Sequence, residues 1–133
     1  ALHLLKKPLG QWGGLNQGDE ILSPALTCTA TNFPILANGF KIKWVDVDPN
    51  TLNMCVEDLK RKVTKNTKVI VFERWGGTPM TWMASKKCKI MPSTSLDLGV
   101  IEDAAHAMGA EYRGIKIGAL QRGNIVKLFA LFP

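Results

Sequence analysis

Two short runs of apolar, mostly β-branched residues place the strongest constraint on the fold of this chain. Residues 68–72 (Lys-Val-Ile-Val-Phe) and residues 99–102 (Gly-Val-Ile-Glu) lack the alternation of a strand with one solvated face. Such runs are typical of parallel strands whose two faces are both covered by helices. Because parallel strands need crossover connections, we expect helices between them.

Periodicity and turn residues predict further elements along the chain. They are a strand at residues 20–23, a helix at 29–37, an edge strand at 40–44 whose alternating apolar residues, including Trp44, form one buried face, an amphipathic helix at 56–63 and a strand at 125–132. The order β-α-β-α-β predicts an open α/β sheet with right-handed crossovers. Residues 80–98 fit neither helical nor strand periodicity, although a crossover helix is expected there.

Composition describes one ordinary globular domain. The 133 residues are 46% hydrophobic and 21% charged, which argues against a disordered chain or a coiled coil. No apolar run approaches the roughly 20 residues that span a bilayer, and the first residues lack the cationic start of a signal peptide. We therefore expect neither a membrane partner nor a signal peptide.

The net charge and the cysteine count restrict the partners further. A charge of +6 would suit nucleic acid or phosphorylated metabolites, but the basic residues are dispersed and not interleaved with stacking aromatic residues. We interpret them as a solvated surface and do not expect nucleic acid as a partner. Three cysteines without a Cys-x-x-Cys spacing and only two histidines fit neither a disulfide framework nor a metal site, and favour the cytoplasm.

The most informative polar residues lie where the predicted strand at residues 99–102 ends. Glu102 and Asp103 fall at the carboxyl end of a strand, where open α/β sheets bind ligands. His106 follows three positions after Asp103, so both would share one face if the chain turns helical. The alternatives are an N-cap for Asp103, a buried structural histidine for His106 and a solvated or capping carboxylate for Glu102.

Four blocks of sequence, in order, resemble the DegT/DnrJ/EryC1/StrS family. They are GDEILSPALT at residues 18–27, VDVDPNTLN at 45–53, VIEDAAHA at 100–107 and YRGIKIG at 112–118. Members of this family are pyridoxal-phosphate-dependent aminotransferases that act mostly on keto-sugars attached to nucleotides. The resemblance implies part of the large domain of a fold-type-I transferase, as in aspartate aminotransferase, with a mostly parallel sheet flanked by helices.

The resemblance implies three cofactor-binding residues. Asp103 would keep the pyridine nitrogen of pyridoxal phosphate protonated, and His106 would contact the cofactor near its phenolic oxygen. Cys28 occupies the position at which many members place an aromatic ring against the cofactor. A cysteine supplies soft contact without ring stacking, and the alternative for Cys28 is a small buried residue.

Two neighbouring segments are interpreted by their position. Thr27, Thr29 and Thr31 are expected to pack or cap. Residues 75–77 (Trp-Gly-Gly) follow the strand at 68–72 and look like the family's loop that faces the site, although an ordinary turn explains the two glycines nearly as well.

The resemblance also implies residues that we do not find in this sequence. The family's Schiff-base lysine follows the strand predicted at residues 125–132, and the chain ends at Pro133. Lys127 lies inside that strand and is not assigned the role. The phosphate-binding serine and the Gly-Thr element before the first helix have no secure counterparts. We expect residues 1–133 to be an incomplete cofactor-binding large domain without the small C-terminal domain and without a catalytic residue.

The sequence is consistent with three functions. The first is a fragment of an aminotransferase that moves an amino group from an amino acid, with glutamate expected, to a nucleotide-linked keto-sugar. This chain would be inactive alone, and the complete enzyme would be a homodimer. The second is a non-catalytic remnant, and the third is a basic module for phosphorylated ligands or nucleic acid. The sugar, and the choice between amination and a related dehydration, stay open.

Overall fold

The computed structural model describes residues 2–8, 12–77, 98–112, 114–117 and 125–128. Its helices and strands are α1 (Leu2–Leu5), β1 (Glu20–Pro24), α2 (Thr29–Ala37), β2 (Lys41–Val45), α3 (Val56–Lys62), β3 (Thr67–Glu73), β4 (Gly99–Asp103), β5 (Glu111–Tyr112), β6 (Ile115–Lys116) and β7 (Ile125–Leu128). Short 3₁₀ turns, Trp75–Gly77 and Ala105–Ala107, follow β3 and β4.

Five strands form one sheet in the order β2-β1-β3-β4-β7, and every neighbouring pair is parallel. The β3–β4 register places Glu73 opposite Asp103, so these two strands end side by side. Strands β5 and β6 form a separate antiparallel pair. The α/β class with a parallel sheet is therefore confirmed, while the handedness of the crossovers remains a prediction.

Both faces of the central strand β3 are buried, as its apolar run predicts. On one face, Ile70 and Phe72 of β3 pack in a cluster with Leu59 of α3. On the other face, Val69 and Val71 pack in a cluster with Ile35 of α2. Successive residues of a strand point to opposite faces, so a continuous apolar run serves both layers. This burial supplies the main stabilisation of the fold.

The β1–α2–β2 unit follows the predicted boundaries closely. Helix α2 spans Thr29–Ala37, as predicted, and Gly39 takes a φ of +79° just after its end, a conformation that favours glycine. Strand β2 lies at the sheet edge, as expected. The predicted buried face fails at Trp44, whose relative exposure is 47%, while Val45 is fully buried. Near its end the edge strand is therefore covered only on the α3 face, where Val45 joins the α3 cluster, while Trp44 on the opposite face is exposed.

Several predictions fall outside the described residues. Most of the irregular segment at residues 80–98, and residues 129–132 of the last predicted strand, cannot be compared with the structure. The first half of that strand is confirmed as β7. Among the described residues, no helix is both long and apolar enough to cross a bilayer.

Candidate active site

The carboxyl ends of β3 and β4 meet the start of α2 at one edge of the sheet. Parallel strands all end at the same edge, so residues that directly follow them lie close in space. Glu73 closes β3 and Asp103 closes β4. The β1–α2 connection brings Thr27 to Glu73, and the first turn of α2 brings Thr31 to Asp103. This arrangement places two carboxylates and two hydroxyls around one point.

Asp103 is half-buried and held by two donors. The Thr31 hydroxyl donates to Oδ2 at 2.8 Å, and the Ala105 backbone N–H donates to Oδ1 at 3.2 Å. The bond from the Ala105 N–H is a local Asx-type contact, so the capping alternative for Asp103 accounts for Oδ1 but not for Oδ2. Since each oxygen has a fixed donor and further lone pairs, the carboxylate is oriented without being saturated.

Glu102 does not belong to this group of side chains. Its relative exposure is 1%, and it forms an ion pair with the Nε of buried Arg74. The expectation of a solvated or capping carboxylate is therefore wrong. Adjacent strand residues point to opposite faces, which directs Glu102 into the interior although its neighbour Asp103 lines the edge.

Glu73 is a second buried carboxylate at the edge, and the sequence interpretation missed it. The Thr27 hydroxyl donates to its Oε2, and the Cys28 backbone N–H also donates to this carboxylate. Burial raises the pKa of Glu73, the negative charge of Asp103 adds to the rise, and the donors and His106 oppose it. The rule that selected Asp103, a carboxylate at the end of a buried strand, would also have found Glu73.

His106 lies on the Ala105–Ala107 turn and is open to solvent. Its side chain is 52% exposed, so the buried structural histidine is ruled out. Its Nδ1 lies 3.9 Å from Oε1 of Glu73, and its ring meets the ring of Trp75 edge-on with centroids 6.0 Å apart. The His106 ring thus lies beside Glu73, the residue opposite Asp103 in the sheet register. His106 lies on a single 3₁₀ turn after Asp103 and not on a longer helix.

Cys28 directly precedes α2 and carries an exposed free thiol. The alternative of a small buried residue is therefore wrong. Thr27 and Thr31, expected to pack or cap, are the hydroxyl donors to the two edge carboxylates. Thr29 is exposed on the first turn of α2. The candidate residues Asp103, His106 and Cys28 all belong to segments that meet at this edge.

The Trp75–Gly77 turn packs directly against the turn that carries His106. Gly77 has a φ of +75°, and a Cβ at this position would lie 2.7 Å from the carbonyl oxygen of His106. The Trp75 N–H donates to Oδ1 of Asn53 at 3.1 Å. Glycine is therefore required by close approach as well as by conformation, and the turn supports the site.

In the part of the chain that the structure describes, no three His, Cys, Asp or Glu side chains are grouped to hold a metal ion. The polar groups at the edge are carboxylates, hydroxyls and one imidazole. This donor set suits an organic ligand with a basic nitrogen, because a carboxylate pairs with a protonated ring nitrogen through a charge-assisted hydrogen bond.

Comparison with known proteins shows the family of this chain. The model of the DegT/DnrJ/EryC1/StrS aminotransferase family matches residues 1–131. The chain belongs to this family. Among curated relatives, GDP-4-keto-6-deoxy-D-mannose 3-dehydratase of Escherichia coli is 36% identical over 112 residues, which cover 84% of this chain and 26% of the relative.

Solved structures of the family share the fold. A sugar aminotransferase of Micromonospora echinospora has a TM-score of 0.68 and 42% identity over 74% of this chain and 27% of its own. The Escherichia coli dehydratase with bound hydrated pyridoxal phosphate has a TM-score of 0.69 and 36% identity over 78% of this chain and 26% of its own. The chain spans about a quarter of the length of the curated relatives it matches. These neighbours confirm the predicted fold class.

Proposed function

We propose that this chain forms part of the pyridoxal-phosphate-binding domain of an enzyme that transfers an amino group from an amino acid to a nucleotide-linked keto-sugar. The observation that carries the proposal is the Asp103 carboxylate, fixed by Thr31 and Ala105 at the carboxyl edge of a parallel sheet. Family membership supports the same cofactor and reaction class.

The chemistry of three described residues supports this cofactor. Asp103 would accept the proton of the pyridine nitrogen in a hydrogen bond and stabilise the charged ring. His106, exposed on the turn that follows Asp103, would contact the ligand near its phenolic oxygen, and Cys28 would lie against the ring. When bound, pyridoxal phosphate takes up the electrons released as the substrate loses its α-proton.

The Thr31 hydroxyl and the Ala105 N–H orient the Asp103 carboxylate in this arrangement. They hold the Asp103 carboxylate in one orientation before the ligand binds, so little side-chain entropy is lost on binding. Preorganisation of this kind makes the ion pair effective in a half-buried site.

We propose nucleotide-linked keto-sugars as the substrate class and glutamate as the amino donor. The sugar aminotransferase and the GDP-sugar dehydratase among the relatives support this class. Dehydration with the same cofactor is the second candidate, favoured by the identity to the Escherichia coli dehydratase. We further propose that the complete enzyme is a homodimer in the cytoplasm. The free thiols of Cys28 and Cys55 fit a reducing compartment.

The share of the relatives that the chain covers supports the interpretation of residues 1–133 as part of a large cofactor-binding domain. We assign the Schiff-base role to none of its lysines, and Lys127 lies within strand β7. Incubation with pyridoxal phosphate and reduction with borohydride should therefore label no single lysine stoichiometrically. Complete labelling of one lysine would contradict this assignment.

Binding of pyridoxamine phosphate tests the proposed cofactor directly, because this form needs no covalent lysine. We expect the chain to bind it, and we expect Asp103→Asn to weaken the affinity about 10- to 100-fold, the value of a charge-assisted hydrogen bond. Asp48→Asn, a loop substitution within residues 46–50, is the matched control and should bind as the wild type does. Equal affinities of the wild type and Asp103→Asn would contradict the proposal.

A further inference from the structure

Glu73 is a carboxylate at the candidate site that the proposed cofactor contacts do not use. It closes β3, lies opposite Asp103 in the sheet register and is buried. Burying a carboxylate costs free energy unless hydrogen-bond donors replace its lost contacts with water. Its donors come from one short segment, since the Thr27 hydroxyl and the Cys28 N–H both bond to it.

The two oxygens of Glu73 have different neighbours. Oε2 accepts the Thr27 hydroxyl, while Oε1 faces Nδ1 of His106 at 3.9 Å. An ionised carboxylate only accepts hydrogen bonds, so the favourable state of the imidazole carries its hydrogen on Nδ1. The ring nitrogen Nε2 is then left for a ligand.

Two further contacts restrict the position of His106. The ring of Trp75 meets the imidazole edge-on, with an angle of 78° between the ring planes. Gly77 approaches the His106 carbonyl oxygen so closely that a Cβ would lie 2.7 Å from it. The backbone of His106 is thus held by one turn, and its exposed ring lies between Trp75 and Glu73.

We propose that Glu73 is a positioning residue that fixes the tautomer and orientation of the His106 ring for the bound cofactor. The proposal rests on the proposed function only for the identity of the ligand. Glu73 directs the Nδ1 hydrogen toward itself, so Nε2 is presented to the ligand: a neutral ring accepts a phenolic hydrogen there, and a charged ring donates to a phenolic oxygen. The charged or titratable groups around His106 in this argument are Glu73 and, beyond it, Asp103.

The nitrogen-15 NMR spectrum of the histidine rings, recorded without cofactor, tests this inference. At mildly alkaline pH histidine rings are neutral, and the spectrum distinguishes the Nδ1–H tautomer from the Nε2–H tautomer. Only His3 and His106 contribute, and His3 lies beside Asn38, outside the site. His3 is therefore an internal reference for the fold.

We expect Glu73→Gln to lower the ratio of Nδ1–H to Nε2–H in His106 about two- to fivefold, because the negative charge 3.9 Å from Nδ1 favours a hydrogen on that nitrogen of the neutral ring. The control Glu57→Gln, an exposed side chain on α3, should change neither histidine. Thr27→Val should shift the His106 ratio in the same direction, because loss of the Thr27 hydroxyl frees the Glu73 carboxylate from its fixed position near Nδ1. This variant keeps the test valid if Glu73→Gln fails to fold. An unchanged His106 ratio in the folded variants would overturn the inference.

Binding of pyridoxamine phosphate separates this inference from the proposed function. If the wild type fails to bind the ligand, the cofactor proposal is wrong, while the tautomer ratio still decides the role of Glu73. If the wild type binds and the ratio responds to Glu73→Gln, the affinity should also fall in that variant. Full affinity there would show that Glu73 does not act on the cofactor through His106 and would overturn the proposal.

Discussion

The Thr31 hydroxyl donates a hydrogen bond to the Asp103 carboxylate, joining two residues that are 72 positions apart in the sequence. Thr31 lies in the first half of α2, and Asp103 ends β4. The bond therefore joins helix α2 to the strand end that carries the proposed cofactor contact. The distance of 2.8 Å between Thr31 Oγ1 and Asp103 Oδ2 is typical of a hydrogen bond between two oxygen atoms.

Replacing this hydroxyl tests its orienting role. Thr31→Val keeps the shape of the side chain and removes the donor, and we expect a loss of about 1 to 3 kcal/mol in unfolding free energy, because a half-buried carboxylate loses its partner. The affinity for pyridoxamine phosphate should fall in parallel. Urea unfolding and ligand titration measure both quantities.

Thr29→Val is the matched control for this substitution. Thr29 begins the same helix and is exposed, with no side-chain contact to the edge carboxylates among the described hydrogen bonds. It should leave ligand affinity unchanged. Equal losses of affinity in the two variants would show that the helix end, and not the Thr31 hydroxyl, orients Asp103.

Gly77 offers a test of the packing between the two 3₁₀ turns. In Gly77→Ala, an alanine would have to adopt a positive φ, and its Cβ would lie only 2.7 Å from the His106 carbonyl oxygen. We expect a loss of about 2 to 4 kcal/mol in unfolding free energy, from backbone strain together with the clash. Chemical denaturation measures this loss, and the His106 ring resonances should shift with it.

Gly76→Ala separates the strain from the clash. Gly76 also has a positive φ, of +59°, but a Cβ there meets no atom within 4 Å. The loss of unfolding free energy in Gly76→Ala should be limited to the strain of the left-handed conformation, about 1 to 2 kcal/mol. Losses of the same size in both variants would mean that the approach to His106 has no energetic role.

The acid sensitivity of the fold should depend on Asp58. Its carboxylate accepts the Asp46 N–H at 2.8 Å and pairs with Lys62 and Arg61, which hold the pKa of Asp58 well below its ordinary value. Because the unfolded chain binds a proton more readily, this carboxylate stabilises the fold above about pH 4, and the contribution is lost as pH falls toward the folded-state pKa.

Asp58→Asn should therefore lower the unfolding free energy by about 1 to 2 kcal/mol at neutral pH, with a smaller difference from the wild type in acid. Glu57→Asn, on the exposed side of the same helix, is the control and should show almost no pH-dependent difference. Urea unfolding at several pH values measures these differences. A constant difference between Asp58→Asn and the wild type across the acid range would contradict the assignment.

The parts of the fold that the sequence predicts best are those governed by burial. Strands β3 and β4 follow from apolar runs with two covered faces, and α2 follows from its capping and turn residues. The position of Asp103 follows from the end of its strand. Local patterns of this kind depend on neighbours in sequence, so periodicity is sufficient to find them.

The contacts that complete the site depend on residues far apart in sequence. Thr31 reaches Asp103, and Thr27 reaches Glu73, only because β1, β3 and β4 are adjacent in the sheet. Strand order cannot be obtained from local periodicity, so these threonines were assigned to packing or capping. The exposure of Trp44 was missed for a related reason, since the covering of an edge strand depends on which helices lie above and below it.

The state of the ring nitrogen in bound pyridoxamine phosphate tests the central claim most directly. The nitrogen-15 chemical shift of ring-labelled ligand should be recorded at a pH at which the free ligand has lost its ring proton. We predict the shift of a protonated pyridine in the complex with the wild-type chain, and that of an unprotonated pyridine with Asp103→Asn, because only the carboxylate stabilises the cation. An unprotonated nitrogen in the wild-type complex, or a protonated one that survives the substitution, would contradict the role assigned to Asp103.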